Sequence, residues 1–229
     1  MVAAMIIRPF AIALPLAALL PLAGCATMTD TTSAQDRFWQ ALSSHCGHAY
    51  SGALTSEDPR DADWQGQAMI AHFAQCEDER IAIAFHVTDP ELENAMDEPY
   101  WDRSRTWVVT RSVIENAATA TTVALTLKHD HRHDDGTPDA VTQYGGTTTT
   151  PGTRRAQDFP LDHETAVLFE REGLDASLTN VWRLEVRPRG ERNAGLTYQL
   201  TRRNDPTRLF RVAFDADDEV AAPPPAWGW

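Results

Sequence analysis

Three of the eight histidines of the chain fall close together, at His129, His131 and His133. In a strand, side chains two residues apart lie on the same face, so these three imidazoles would point one way and Asp130 the other. Neighbouring members would be roughly 6–7 Å apart, and two imidazoles at that distance can chelate one ion. The outer two would be roughly 13 Å apart. A metal site therefore needs a further ligand from another strand.

His86 is the predicted further ligand, because it lies on a different strand between small residues such as Ala82 and Ala84. Zinc or a similar divalent ion would suit such imidazole ligands. Two other interpretations stay open. The histidines can be polar residues at a barrel mouth that bond to nearby acids and arginines, or they can serve acid–base catalysis.

Arginines in the same part of the sequence predict a site for an acidic group. Arg103 and Arg105 precede a strand, and the guanidinium group matches carboxylates and phosphates. With His86, Asp130 and Tyr144 they form the predicted ligand-binding set. The alternative is that both arginines make surface salt bridges with the acids around them.

The elements that must position these residues are mainly strands. From residue 50 onwards the apolar pattern has a period of two, which predicts about nine or ten antiparallel strands. Such a count predicts a single mainly β domain, and closing the sheet into a barrel removes its exposed edges. One short helix is expected at residues 34–45 and a late one between Asp162 and Gly173. The predicted strands are residues 50–55, 67–73, 80–87, 105–110, 123–127, 140–144, 181–186, 196–200 and 209–214.

Two details of the pattern concern the histidine-rich stretch. The strand at 140–144 should return from a hairpin turn at Asp135-Gly136, which places the histidines near a hairpin tip. The pair Gly145-Gly146 then indicates a bulge or a close backbone approach. The number and order of strands resemble the calycin barrels of lipocalins and fatty-acid-binding proteins, and the resemblance is architectural only.

The N-terminus predicts export and lipidation. An apolar run at residues 10–22, too short to span a bilayer, ends in Leu22-Ala23-Gly24-Cys25. That ending resembles the bacterial lipobox, whose cysteine is lipidated and becomes the first residue of the mature protein. By resemblance to sorted lipoproteins, Ala26 after the cysteine favours the outer membrane. Acylation would anchor the protein stably, so the membrane is the expected partner.

The domain division follows from that signal. We expect a signal peptide at 1–24, a lipidated cysteine with a flexible tether at 25–33, and a barrel domain with a Pro- and Trp-rich tail at 34–229. Lipidation of Cys25 leaves Cys46 and Cys76, which should form a disulfide in an oxidising compartment.

Composition excludes some classes of function. The net charge is −13 with a single lysine, so the chain is poorly suited to bind nucleic acid or anionic lipid head groups. No nucleophile-elbow, phosphate-binding or dinucleotide-binding motif occurs. The sequence therefore leans away from an enzyme.

Several strings resemble those of a family of uncharacterised bacterial secreted proteins and lipoproteins, across most of the mature chain. They are Phe85-His86-Val87, Asp102-Arg103-Ser104-Arg105-Thr106-Trp107, His129-Asp130-His131-Arg132-His133-Asp134-Asp135-Gly136 and Tyr144-Gly145-Gly146. The resemblance implies that these proteins share one fold, and it implies no particular activity.

Three functions remain as expectations. The first is an outer-membrane-anchored lipoprotein that binds a small amphiphilic or anionic ligand in its barrel. The others are a histidine-ligated, metal-dependent enzyme or metal-binding protein of the periplasm, and a structural envelope protein without a ligand.

Overall fold

Ten antiparallel strands form one sheet in the part of the chain that the computed structural model describes, which is residues 1, 32–89, 100–114 and 122–229. Except for Met1, the predicted signal peptide lies outside these residues, as do Cys25 and most of the tether. The strands are β1 (Ala49–Leu54), β2 (Met69–Cys76), β3 (Arg80–Thr88), β4 (Trp101–Ile114), β5 (Thr122–His131), β6 (Tyr144–Thr147), β7 (Ala156–Pro160), β8 (Asn180–Arg187), β9 (Gly195–Arg202) and β10 (Asp205–Val220).

The strand order makes the sheet a nearly closed barrel. Strands adjacent in the chain pair with each other from β1 to β6 and from β7 to β10, and β1 pairs with β10. The two ends of the sheet meet at a single bridge between Gly146 of β6 and Leu161 just after β7. The predicted mainly β barrel of about ten antiparallel strands is confirmed.

Glycines make the closing seam possible. A Cβ on Gly146 would lie 2.1 Å from the carbonyl oxygen of Pro160, and one on Gly145 would lie 1.8 Å from that of Leu127. Neither position has room for a side chain, because real Cβ atoms do not approach oxygen so closely. The close backbone approach predicted from the Gly-Gly pair is confirmed.

The barrel interior is largely filled with apolar side chains. Large residues on alternate positions of the strands point inward and are almost fully buried, as a half-buried sheet requires. On β3 these are Ile81, Ile83, Phe85 and Val87, whereas Ala82, Ala84 and His86 occupy the opposite face.

The first helix, α1 (Ala34–Ser43), packs against one end of the barrel. Ser33 caps it by accepting a hydrogen bond from the backbone of Asp36, whose carboxylate bonds back to Ser33. Phe38 and Leu42 are completely buried, and Asp36 forms an ion pair with Arg111 of β4. The predicted N-terminal helix is confirmed.

A disulfide attaches the end of this helix to the sheet. Cys46 lies just after α1, Cys76 ends β2, and their sulfur atoms are bonded. The predicted pairing is therefore confirmed.

The second helix, α2 (His163–Arg171), lies beside the seam. Asp162 caps it by accepting from the backbone N–H of Thr165 at 2.9 Å and pairs with Lys128 of β5 at 2.7 Å. The Thr165 hydroxyl accepts the N–H of Gly145 at 2.7 Å, which ties α2 to β6. The late helix is thus confirmed. No helix among the described residues is long and apolar enough to cross a membrane.

The structure corrects two strand predictions. The return strand predicted at 140–144 begins only at Tyr144, because Thr142 and Gln143 bend to donate their side chains to buried Asp130. The loop that contains Asp135-Gly136 is consequently longer than a tight hairpin turn. Strand β7 was absent from the prediction, since its residues do not alternate cleanly and end in a proline.

Candidate ligand-binding cavity

The pairing of β4 with β5 brings predicted site residues together inside the barrel. Arg105 is the direct partner of His131, and Trp107 is the direct partner of His129. All four side chains line one cavity. Asp130 points to the opposite face, as the alternation predicts.

The cavity has a volume of about 160 Å³. Its floor is buried, whereas its rim remains partly exposed, so a ligand has a path from solvent. The rim consists of Trp64, Arg105, His131, Tyr144, Leu200 and Arg208, and the floor consists of Phe85, Trp107, His129, Tyr198 and Phe210. Asp61 is buried as well and lines the cavity from the 3-10 helix Pro59–Trp64.

His129 is a neutral structural residue of the floor. Its Nδ1 lies 3.1 Å from the carbonyl oxygen of Tyr144, so this nitrogen must carry the proton and donate. Its Nε2 lies 2.9 Å from the Tyr198 hydroxyl and accepts from it. Burial lowers the pKa of His129 to about 3, which keeps the ring neutral near pH 7. Both nitrogens are therefore engaged within the protein.

His131 and Tyr144 are the uncharged polar residues of the cavity rim. The Tyr144 hydroxyl lies 3.1 Å from Nε2 of His131, and no described residue bonds to the other ring nitrogen. Burial, together with the nearby charge of Arg105, lowers the pKa of His131 to about 4. Burial also raises the pKa of Tyr144 to about 12. Both groups are therefore neutral hydrogen-bonding partners near pH 7.

Arg105 is the cation beside them. One of its terminal nitrogens bonds to Asp102, and among the described residues its other two nitrogens have no hydrogen-bond partner. Its guanidinium carbon lies 5.1 Å from the ring centroid of Trp64. As far as the described part of the chain shows, Arg105 thus has donors that a ligand could accept from.

The second arginine of the rim is committed to the protein. Arg208 bonds to both carboxylate oxygens of Asp61, at 2.5 and 2.8 Å, and to Asp58 at 3.0 Å. These bonds fix the 3-10 helix Pro59–Trp64 over the cavity. Two aspartates thus offset the charge of Arg208, whereas Arg105 pairs with one, Asp102.

The other predicted ligand-binding residues lie outside the barrel, under the last nine residues of the chain, 221–229, which we call the C-terminal strap. The backbone N–H of Trp227 donates to the Arg103 carbonyl at 3.1 Å, and the Arg103 guanidinium donates to the Pro225 carbonyl at 2.8 Å. Arg103 therefore holds the strap and does not line the cavity.

Asp130 is the polar centre of this outer face. Its carboxylate is 1% exposed and accepts from Arg132 at 2.8 Å, Gln143 at 2.8 Å, Thr142 at 3.2 Å and the Trp229 indole at 2.9 Å. Four donors satisfy the buried charge. Asp130 joins the strap to the loop after β5 and is not a cavity residue.

His86 does not join His129 and His131, because it lies on the outer face of β3 beneath Pro224. It is fully buried, and neither ring nitrogen has a partner with hydrogen-bonding geometry, although the Pro224 carbonyl is close. Burial, together with the charge of Arg103, lowers its pKa to about 4.

The metal site predicted from the sequence is therefore not assembled. His133 lies exposed in the loop after β5, away from the cavity. In the described ranges, no three His, Cys, Asp or Glu side chains come together to hold an ion.

Sequence reasoning missed most of the cavity wall. Tyr198 and Phe210 lie on the inward faces of predicted strands, but their register relative to His131 could not be read from one sequence. Trp64 comes from a short 3-10 helix, which leaves no periodic pattern in the sequence. Arg208 lies near the start of β10, before the alternating residues from which that strand was predicted.

Within residues 32–89, 100–114 and 122–229, the rim donors without a partner are those of Arg105, with His131 and Tyr144 beside them. Such a set suits a hydrogen-bond-accepting anion in front of an aromatic wall. Comparisons of the chain with protein-family models, with curated proteins and with solved structures find no match.

Proposed function

We propose that the protein is a lipid-anchored envelope protein that binds a small carboxylate in its barrel cavity. The observation that carries the proposal is the position of Arg105 next to His131 and Tyr144 above an aromatic floor, with two nitrogens that make no hydrogen bond to the described residues. A ligand pocket with this composition is mostly apolar, and a few polar groups orient the bound molecule.

The charges of the wall favour a ligand with one negative charge. Among the described residues that line the cavity, Arg105 and Arg208 are the cations and Asp61 is the anion. The lining itself sums to one positive charge, and the ion pairs of Arg105 with Asp102 and of Arg208 with Asp58 lower the local charge below that value. A dianionic phosphate would be poorly compensated here, whereas a carboxylate accepts two parallel bonds from a guanidinium group.

The size of the cavity limits the ligand further. Pockets for drug-sized molecules have volumes of about 300–1,000 Å³, and this cavity is smaller at about 160 Å³. Large aromatic side chains fill the barrel below it. A compact acid fits this space better than a long acyl chain.

The cellular location in the proposal comes from the sequence alone. The run at residues 10–22 that ends in Leu22-Ala23-Gly24-Cys25 supports export and lipidation, and Ala26 supports the outer membrane. The membrane would be a partner through the lipid only. A soluble carboxylate of the envelope would then be within reach of the barrel.

Calorimetric titration of the purified protein with benzoate, hexanoate and cyclohexanecarboxylate tests the binding function. Benzyl alcohol serves as the uncharged counterpart of benzoate. We expect at least one carboxylate to bind, and Arg105→Gln to weaken it roughly 10- to 100-fold, because charged hydrogen bonds contribute about 1.5–3 kcal/mol. Arg183→Gln is the matched control, because it removes the same charge from the outer face of β8.

Two results would overturn the proposal. One is that none of the three carboxylates binds at millimolar concentration. The other is that Arg105→Gln and Arg183→Gln weaken binding equally, since that would indicate a general effect of net charge. Native mass spectrometry of gently purified protein adds the identity of any small acid that stays bound.

A further inference from the structure

A groove of about 280 Å³ beside α1 collects positive charge on the surface of the barrel. The charged residues of its described lining are three arginines, Arg37, Arg154 and Arg155, and one acid, Glu191. The lining therefore sums to two positive charges, in a chain whose net charge is −13. We call this site the α1 groove.

One wall of the α1 groove is a side of α1 that faces away from the barrel. Phe38 and Leu42 are completely buried, whereas Arg37, Gln40 and Ala41 line the groove. Residues three and four apart are neighbours on a helix surface, so these three share one side of α1. Gln40 is exposed, and its side chain forms no hydrogen bond with the described residues. Its amide N–H group is thus a donor beside the arginines.

The opposite wall holds Arg155 in the turn before β7. The backbone N–H of Arg155 donates to the Thr153 hydroxyl at 3.2 Å, and its carbonyl accepts the N–H of Val186 at 2.8 Å. Glu191 accepts from one terminal nitrogen of the guanidinium, and the other terminal nitrogen is buried without a partner in the described part of the chain. Arg155 is therefore fixed in position with a donor unsatisfied, which is uncommon for a buried group.

Arg154 contributes the least compensated charge. It is exposed, and within residues 32–89, 100–114 and 122–229 its side chain forms no ion pair or hydrogen bond. Glu191 already pairs with Arg155. Charges farther away than about 8 Å are largely screened at physiological salt, so the arginines of the groove outweigh the acidic remainder of the surface locally.

We infer that the α1 groove binds a phosphate monoester. Such a group carries nearly two negative charges above pH 7 and three acceptor oxygens. Both properties match a lining with two net positive charges and several donors, and guanidinium groups bind phosphates with strong charged hydrogen bonds. The barrel cavity differs, because its lining sums to one positive charge.

The α1 groove and the barrel cavity are separate sites. Arg105 of the cavity lies near the start of β4, whereas Asp36, next to Arg37 in α1, pairs with Arg111 towards the end of the same strand. The inference about phosphate therefore does not depend on the proposed binding of a carboxylate in the cavity.

A phosphate monoester can come from a soluble compound or from a lipid head group. Helix α1 begins at Ala34, nine residues after Cys25, and nine residues span at most about 32 Å. The proposed lipidation of Cys25 would keep the start of α1 within that distance of the membrane. The experiment therefore needs one arm for each source.

Calorimetric titration with glycerol 3-phosphate at pH 8 tests the site, because the monoester is dianionic at that pH. We expect binding at millimolar concentration or below, and Arg154→Gln should weaken it roughly ten-fold, the lower end of what loss of a charged hydrogen bond costs. Glu191→Gln should instead strengthen binding, since it removes the acid that pairs with Arg155. Arg203→Gln is the matched control. Arg203 is also exposed and has no side-chain partner among the described residues, but it lies in the turn between β9 and β10.

Sedimentation with vesicles separates the two sources. Phosphatidylcholine vesicles are prepared with and without phosphatidic acid, which carries the same glycerol phosphate group, and are mixed with the Cys25→Ser protein so that no acyl chain retains it. Retention that requires phosphatidic acid and is lost on adding Arg154→Gln identifies a lipid ligand. Binding of glycerol 3-phosphate without such retention identifies a soluble phosphate monoester.

The inference is overturned if glycerol 3-phosphate does not bind at millimolar concentration, or if Arg154→Gln and Arg203→Gln weaken binding equally. It is also overturned if Arg105→Gln abolishes the binding, because the ligand would then lie in the barrel cavity. Benzoate affinity should be the same in Arg154→Gln as in the wild-type protein. A failure of the α1 groove is therefore distinguishable from a failure of the carboxylate site.

Discussion

Arg105 and His131 face each other as direct partners across β4 and β5, and both side chains line the cavity. A permanent cation thus stands beside an imidazole that burial already keeps neutral. The pairing has a consequence that can be measured without any ligand.

Removing the charge of Arg105 should raise the pKa of His131. Burial is the larger cause of its low value of about 4, and the Arg105 charge adds to it, so Arg105→Gln should move the pKa upward towards the ordinary 6.5. Titration of the imidazole carbon-bound proton signals by NMR measures the change. Arg183→Gln should leave His131 unaffected, and an unchanged His131 in Arg105→Gln would contradict the assigned proximity.

The protein should lose stability as the pH falls from 6.5 towards 4. An unfolded chain protonates its histidines near pH 6.5, whereas the fold keeps His129 neutral to about pH 3 and His86 and His131 neutral to about pH 4. The unfolded state therefore binds more protons in this window. Each such group lowers the free energy of unfolding by up to about 1.4 kcal/mol per pH unit.

Urea unfolding at pH 7, 6 and 5 measures this slope. His129→Asn should reduce the slope by about one proton, whereas His133→Gln, at an exposed position, serves as the control for substitution. The carboxylates with lowered pKa values, such as Asp36 and Asp162, change the free energy of unfolding with pH only below about pH 4. A free energy of unfolding that is constant from pH 7 to 5 would contradict neutral burial of the three imidazoles.

Replacing both cysteines of the disulfide should destabilise the fold without changing the cavity. Cys46 and Cys76 are separated by 30 residues, and closing a loop of that length stabilises by roughly 3–4 kcal/mol in the chain-entropy model. The bond lies at the α1 end of the barrel. The double variant Cys46→Ala, Cys76→Ala should therefore unfold at lower urea while benzoate affinity stays the same. A loss of affinity in the folded variant would show that the disulfide at the α1 end of the barrel and the cavity are coupled.

Trp229→Phe should weaken the attachment of the C-terminal strap. The substitution keeps an aromatic ring but removes the indole N–H that donates to Asp130 at 2.9 Å. Hydrogen bonds to charged groups contribute about 1.5–3 kcal/mol, so the free energy of unfolding should fall by an amount in that range. Trp227→Phe is the control, since only its backbone N–H contacts Arg103. Equal effects of the two changes would argue against a specific role for the indole.

Cys25→Ser should abolish lipid attachment in the native host. The lipobox-like ending at Leu22-Ala23-Gly24-Cys25 predicts that metabolic labelling with an alkyne fatty acid marks the wild-type protein and leaves the variant unmarked. The variant should also leave the membrane fraction. Labelling that persists in Cys25→Ser would refute the predicted anchor.

The alternation of side chains along a strand predicts which face of the sheet each residue occupies, but it does not predict which residues of other strands it meets. The pattern in β5 correctly places His129 and His131 on one face and Asp130 on the other. The pattern in β3 already separates His86 from Phe85, and because large apolar residues fill the core, His86 must face outward. The expectation that it joins the other histidines gave its small neighbours more weight than this alternation.

The cavity itself depends on information that one sequence does not contain. Which residues of β9 and β10 lie level with His131 is set by strand register over long separations in the chain. The cavity further requires the 3-10 helix to lean over the barrel, and that position depends on the bonds of Arg208 to Asp61 and Asp58. Local pattern therefore predicts which side chains of a strand face inward but not which of them meet at the cavity.

The two faces of β5 also protect the protein against misfolding. If this strand slipped by one residue during assembly, Asp130 would enter the aromatic interior, and the Trp229 indole, one of its donors, would stay on the outer face. An unpaired buried carboxylate costs several kcal/mol, so the slipped form could not compete with the native one. Asp130 thus disfavours this shift of register, whether or not the cavity binds a ligand.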